Sequence, residues 1–317
     1  MLRRSILLLV LTIVLACQGP PTTWAEYSGR GPDGSAPGPR VDAGKADAGE
    51  TVRPSVRPGL VLDDIHVASM SEEFQVLGLL GEYLNEPLAQ GIKDGSYLVA
   101  LDFQGMEDPS GQSDDERMSV GVYRVDDSDS NRGDNFDAES PETFKQRSAD
   151  RFRDAQVHGG ELEAEGLDTF ALPGFRGVSV PLNKVSLSGT LVPTSSSDGV
   201  LMLQDGRLTG GIPIRLIALA GQFMGDQVEL PFPCRGKTVL DKILLGCGLG
   251  FSFAQIVDID GDGEEQFFDE DGDGAIDVCV DGDGTRIRGT RCVTDERIKD
   301  GIEITMVVHG VRAYLAP

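Results

Sequence analysis

Apolar positions along this chain recur first at helical and then at strand intervals. Phe74, Leu77, Leu80, Tyr83 and Leu84 keep the three- and four-residue spacing of a helix, and Ser69 with Glu72 has the separation of a capping box ahead of it. Pro87 either breaks this helix or starts a second one carrying Leu88 and Ile92. Residues 96–104 read as a strand, and 118–125 alternate like another. From residue 155 onward the pattern is mostly short strands (155–164, 178–191, 200–204 and 207–214) separated by Gly, Pro, Ser or Asn turns. The alternation of Val178, Val180 and Leu182, then Val185 and Leu187, predicts antiparallel pairing with one face buried. Residues 214–220 are apolar on every side, as in a buried helix or a central strand. Residues 237–245 read as a short helix stopped by Gly246, and 302–308 alternate again as a late strand returning to the sheet. The pattern predicts an α+β, β-rich body: a mostly antiparallel sheet with a few short helices. Starting at Leu60, that body is long enough for one substantial core or two small domains.

One stretch obeys neither period. Residues 258–284 hold twelve Asp or Glu in 27 positions and no Lys or Arg. Such a run repels itself and has little apolar surface to bury. A hard divalent cation reverses that balance, because calcium takes six to eight oxygen ligands and alternating Asp closed by Gly puts three carboxylates on one side of a tight loop. Two registers of a twelve-residue calcium loop are readable. The first takes Asp258, Asp260, Asp262 and Glu264 around Gly263, with Gln266 at the position that often reaches the ion through water and Asp269 closing the loop. The second begins at the same Asp269 and takes Asp271, Asp273 and Asp277 around Gly274. Its twelfth position is Val280, so closure falls to Asp281, helped by the fragment that contains Asp283. The expected cofactor is calcium.

DEDGDGAIDVC, from Asp269 to Cys279, resembles the D-x-D-x-D-G-x-x-D-x-C unit of thrombospondin type 3 repeats. In that family ions are strung along an irregular strand and cysteines pin the wrap. The resemblance covers residues 258–292 and says nothing about the body. Dockerin loops are similar but each is followed by a helix, for which abutting loops leave no room.

The N-terminal segment predicts export. Arg3 and Arg4 precede an apolar run from Ile6 to Val14, too short to span a bilayer, which takes about 20 residues. Val14-Leu15-Ala16-Cys17 resembles the lipobox of bacterial lipoproteins. The resemblance implies cleavage after residue 16, acylation of Cys17 (a diacylglycerol and an amide-linked chain such as palmitate) and a place in the cell envelope, with Gln18 pointing to the outer membrane. Residues 17–59 then form the anchor and a tether. Fifteen of the 42 residues from Gln18 to Gly59 are Pro or Gly, above the roughly 25–30% at which unpatterned Pro and Gly indicate disorder. The expected division is therefore 1–16 signal, 17–59 anchor and tether, 60–257 β-rich body, 258–292 calcium segment and 293–317 a C-terminal strand.

Charge narrows the partners. The chain has 28 basic and 52 acidic residues, a net charge of −24. Nucleic acid and anionic lipid would be repelled, so neither is an expected ligand; the membrane is reached through the lipid, and divalent cations and an envelope protein remain as partners. Besides Cys17 there are four cysteines, an even number that in an exported chain suggests two disulfides with three possible connectivities. Cys279 with Cys292 would clamp the acidic segment as in the repeats it resembles, which leaves Cys234 with Cys247. That second pair is in tension with a helix at 237–245, since nine helical residues span about 13.5 Å and a disulfide needs Cα atoms within about 7 Å. Either the flanks fold back or the pairing is crossed.

No catalytic constellation is visible. His66, His158 and His309 lie far apart, no G-x-S-x-G elbow is present, and residues 246–250 lack the dinucleotide spacing. Asp127, Asp129 and Asn131 begin like a calcium loop, but Arg132 takes the glycine position, and the sequence reads as a solvated loop. The leading expectation is a non-enzymatic, lipid-anchored envelope protein with structural calcium loops, serving interaction, adhesion or assembly. A calcium-stabilised hydrolase using acidic residues is the alternative. A third reading makes the acidic segment itself the surface that a partner recognises in a calcium-dependent way.

Overall fold

The computed structural model describes residues 57–68, 75–137, 140–173, 179–193, 201–224, 234–249, 252, 254–289 and 292–316. All lie in the compact unit Val52–Pro317. The signal, Cys17, the tether up to residue 56 and the Ser69–Glu72 capping box fall outside the described residues, and residues 57–59, expected in the tether, belong to the first strand.

The first described element is a strand, β1 (Arg57–Val67), where the sequence pattern starts the body with a helix. The segment carries Leu60, Val61, Leu62 and Ile65, all buried, so no single-face alternation marks it. Helix α1 (Gln75–Lys93) follows and runs through Pro87 without a break. Leu84, Leu88 and Ile92, at four-residue spacing, bury one stripe in the main core. Then come β2 (Leu98–Gln104), β3 (Asp115–Asp127), β4 (Thr143–His158), β5 (Glu161–Pro173), β6 (Ser179–Pro193) and β7 (Leu201–Pro213). Residues 155–164 are thus a hairpin crossing from β4 to β5 through Gly159 and Gly160. The strands expected at 200–204 and 207–214 are one strand, Leu201–Pro213, with Asp205 at a φ of 50° inside it. Helices α2 (Ile214–Met224) and α3 (Val239–Leu245) precede the acidic segment, and β12 (Gly301–Ala316) ends the described chain.

Each strand pairs antiparallel with the next, β12 pairs with β7, and β12 also pairs with β1. The sheet therefore closes into an eight-stranded antiparallel barrel, β1-β2-β3-β4-β5-β6-β7-β12. The expected β-rich, antiparallel class holds; the closure is what the local pattern did not carry. Inward-facing side chains fill the barrel. Leu62, Val99, Leu101, Val122, Phe152, Phe170, Leu187, Leu208 and Val308 surround a residual void of about 10 Å³, hardly room for one water and entirely apolar in its lining. Eight strands enclose a space that side chains can just fill, and here they do. The outer face is charged, with Glu161, Glu163, Glu165 and Asp168 of β5 exposed between buried Leu162, Ala164 and Leu167. That is the reverse of a lipid-facing barrel, whose apolar band points outward.

A second ring is built from the same strands. The end of β12 (Tyr314, Leu315, Ala316) runs parallel to the start of β4 (Thr143, Phe144, Lys145). With β3, β2 and β1 these segments enclose a smaller core on the opposite face, made of Val61, Leu98, Ala100, Tyr123, Val125, Phe144, Val311, Ala313 and Leu315. This explains why residues 97–101 are apolar without alternation: both faces of β2 are buried. Strand β12 serves both rings with its two faces. Ile302, Ile304, Met306 and Val308 face the barrel, while Val311, Ala313 and Leu315, of the other parity, face the small core; the extra residue where the pairing with β7 shifts, between Val308 and Gly310, lies in β7.

Candidate cation-binding segment

Between β8 (Ile256–Val257) and β12 the chain makes a three-stranded sheet of β9 (Gln266–Phe268), β10 (Val278–Val280) and β11 (Arg286–Arg288), in the order β11-β10-β9. The acidic residues sit in its loops. One loop leads into β9, a second joins β9 to β10, and a tight turn at residues 281–284 joins β10 to β11. Fixing the sheet to the barrel are Val278, Cys279, Ile287 and Cys292, all buried, the last three within the main core. Cys279 pairs with Cys292, as the resemblance implied, with Cα atoms 5.5 Å apart, and Cys234 pairs with Cys247, the pair that this leaves, with Cα atoms 5.3 Å apart. The tension over the second pair resolves because α3 has only seven residues and the chain folds back after it, with Gly246 and Cys247 both in left-handed conformations.

The first loop brings one carboxylate oxygen each of Asp258, Asp260 and Asp262 within 4.8 Å of one another. It hangs from a buried carboxylate: Asp300 accepts from the amides of Ile259 and Glu265, both at 2.9 Å. The second loop does the same with Asp269, Asp271 and Asp273. Asp269 turns both oxygens into this loop, accepting from Gly272, Asp273 and Gly274 at 2.8, 3.1 and 2.7 Å. It belongs to the cluster of the second loop and is not one of the three residues that cluster in the first. Asp277 braces that loop from behind, accepting from the Glu270 and Asp271 amides. Asp281 is buried, its Oδ1 accepts from the Thr285 amide at 2.6 Å and so pins the turn, and it is outside the second cluster. Asp283 lies in the field of Asp262 and Lys299, beside the first loop. Glu264 and Gln266 are exposed and outside the first cluster.

Glycine is required where these loops meet other backbone. A Cβ on Gly282 would stand 2.0 Å from Asp262 Oδ1, and one on Gly274, at a φ of +88°, would stand 2.8 Å from the Cys247 carbonyl oxygen.

Cations that the sequence pattern does not reveal come from elsewhere in the fold. Lys299, just before β12, places Nζ 2.9 Å from Asp260 Oδ2. Lys237, just before α3, places Nζ 2.9 Å from Asp273 Oδ2. Arg286 and Arg288 both pair with Glu270. The Lys299 ammonium lowers the Asp260 pKa, whereas Asp262 is pushed up by lost solvation and by the neighbouring Asp260 and Asp283 carboxylates. Asp273 is lowered by Lys237.

A third acidic cluster joins Asp127, Asp129 and Glu142, which the sequence read as a solvated loop. Glu142 is 15 residues from Asp127 and arrives from the first turn into β4. Burial, then Asp127, Asp129 and Asp134, push its pKa to about 7. His66 and His309 lie on the paired strands β1 and β12, and each of the three histidines faces an aspartate: His66 with Asp64, His158 with Asp114, and His309 with Asp63 at 2.6 Å.

The chain matches no protein-family model, no curated protein and no solved structure. Function therefore rests on the residues themselves.

Proposed function

We propose that this chain is a non-enzymatic, exported protein, anchored through acylated Cys17 at the outer membrane, whose packed barrel is stabilised by calcium in the two acidic loops. The observation that carries the reading is the donor set. Asp258, Asp260 and Asp262, and again Asp269, Asp271 and Asp273, offer only oxygen, three carboxylates within 4.8 Å, at a sharp glycine-containing turn. Hard oxygen donors in that arrangement suit calcium better than zinc or copper, which take nitrogen or sulfur. The backbone amides already orient Asp269; the amides of Asp273 and Ala275 take Oδ1 of Asp271 and of Asp273, and the Asp273 Oδ2 already carries the Lys237 ammonium. When bound, the ion would supply charge neutralisation and nothing else; the chain supplies the oxygens and the clamped sheet that holds them.

A structural ion fits better than a catalytic one. Glu265, whose pKa is raised to about 8 by burial and by Asp300, is 1% exposed and sealed under the first loop, where no substrate can reach it. The packed barrel interior leaves the outer surface and the loops for contacts with other envelope proteins, in adhesion or assembly. Calorimetric titration of calcium into the chain, with magnesium and zinc as comparisons, tests the reading. Two or more calcium ions bound in preference to zinc supports it, and no calcium binding removes it.

A further inference from the structure

The two acidic loops hang from different parts of the molecule. The first hangs from Asp300 and Lys299, at the entry to β12. The second rests against the segment closed by Cys234–Cys247, through three contacts. Asp241 is 5% exposed; its Oδ2 accepts from the Thr238 amide and hydroxyl at the start of α3, and its Oδ1 accepts from the Ile276 amide at 2.8 Å. Gly274 lies directly on the Cys247 carbonyl. Lys237, 20% exposed, puts its ammonium on Asp273, and Asp241 and Asp269 add to the field that raises its pKa. A single carboxylate thus caps α3 and positions the loop, and a cation on the same segment sits among the aspartates.

We propose that the segment from Cys234 to Cys247 is the positioning half of the second acidic loop, and that Lys237 is a tethered cation which a metal ion must displace from it. The inference rests on the cation-binding reading above and adds how that one loop is regulated. Its two parts act in opposite directions. Asp241 and the disulfide hold the loop in a cation-ready shape, so losing them weakens binding. The Lys237 ammonium neutralises the same oxygens, so losing it strengthens binding. Lys299 stands in the same relation to the first loop, on a different element, so the two affinities are set independently.

The test uses the full chain, with calcium titrations followed at the amide resonances of Gly263 and Gly274, which report the two loops separately. Lys237→Met is expected to tighten calcium at Gly274 by roughly two- to fivefold and to leave Gly263 unchanged. A gain in affinity cannot come from a damaged fold. Asp241→Asn, and separately Cys234→Ser with Cys247→Ser, are expected to weaken binding at Gly274 by roughly tenfold or more, and to speed hydrogen exchange of the Ile276 amide, again sparing Gly263. Unchanged affinity in Lys237→Met, or equal shifts at both glycines in any variant, overturns the proposal. If the wild-type chain takes no calcium, the cation-binding reading falls and the competitor role of Lys237 falls with it. The positioning role is then decided by Ile276 exchange alone, which must still accelerate when the disulfide is removed.

Discussion

Glu265 and Asp300 are 1% and 0% exposed, side by side beneath the first acidic loop. Four backbone amides are divided between them: Lys299 and Asp300 donate to Glu265, and Ile259 and Glu265 donate to Asp300. Two buried carboxylates share this site best with one proton, and burial together with Asp300 keeps the proton on Glu265 to about pH 8. An unfolded glutamate gives its proton up near 4.5. Folding therefore takes up a proton between those values. Glu265 contributes its stability in full below about pH 4.5, and the contribution is lost as pH rises through about 8. Glu265→Gln, which copies the protonated acid, should flatten the fall in melting temperature between pH 5 and pH 9 seen for the wild type in chelator. A variant whose slope matches the wild type would exclude Glu265 as its source. Gly274 is the second residue on which the segment depends. Its φ of +88° and its contact with the Cys247 carbonyl leave no room for a methyl group, so Gly274→Ala should lower stability by roughly 1–3 kcal/mol in a denaturant titration.

Among the elements, β12 does the most. It pairs with β7, β1, β8 and the start of β4, and its two faces line the two cores. The large aromatic in each core gives a direct comparison. Phe152 in the barrel and Phe144 in the small ring are 1% and 0% exposed, so truncating either to Ala should cost about 3–5 kcal/mol in equilibrium unfolding. A small ring that were only a surface annex would give a much smaller loss for Phe144. The sequence made β6 and the early part of β12 legible because Leu182, Val185, Leu187 and Ile302, Ile304, Met306 face one core. It hid β1 and misread β7 for two different reasons. In the first half of β1, at Leu60, Val61 and Leu62, both faces are buried, so period two disappears there. In β7, Asp205 and Gly206 look like a turn, yet they form a kink inside a continuous strand. Closure was not legible at all, because the β1–β12 pairing joins residues some 250 positions apart and leaves no local mark. The candidate site was legible as ligand types and spacing, whereas Lys237, Lys299 and Glu142 were not, since distant elements bring them in.

Over the whole molecule the net charge is −24, and twelve of the 52 acidic residues fall within residues 258–284. Lys237, Lys299, Arg286 and Arg288 offset part of it, so the acidic segment has partial counter-charge even without a metal ion. Calcium adds to that by linkage: at millimolar ion and a site of about 10⁻⁴ M, each ion contributes roughly 1.4 kcal/mol to folding. Two ions would together raise stability by an amount comparable to the Cys279–Cys292 clamp, whose loss to Ser should cost about 2–4 kcal/mol in a chemical melt. The most direct measurement is a thermal melt of the chain in millimolar calcium against the same chain in excess chelator, paired with a calorimetric count of bound ions. Two or more ions, and a melting temperature several degrees lower in chelator, is the expected result. Superimposable melts with no heat of binding would show that lysines and disulfides alone hold the aspartates in place.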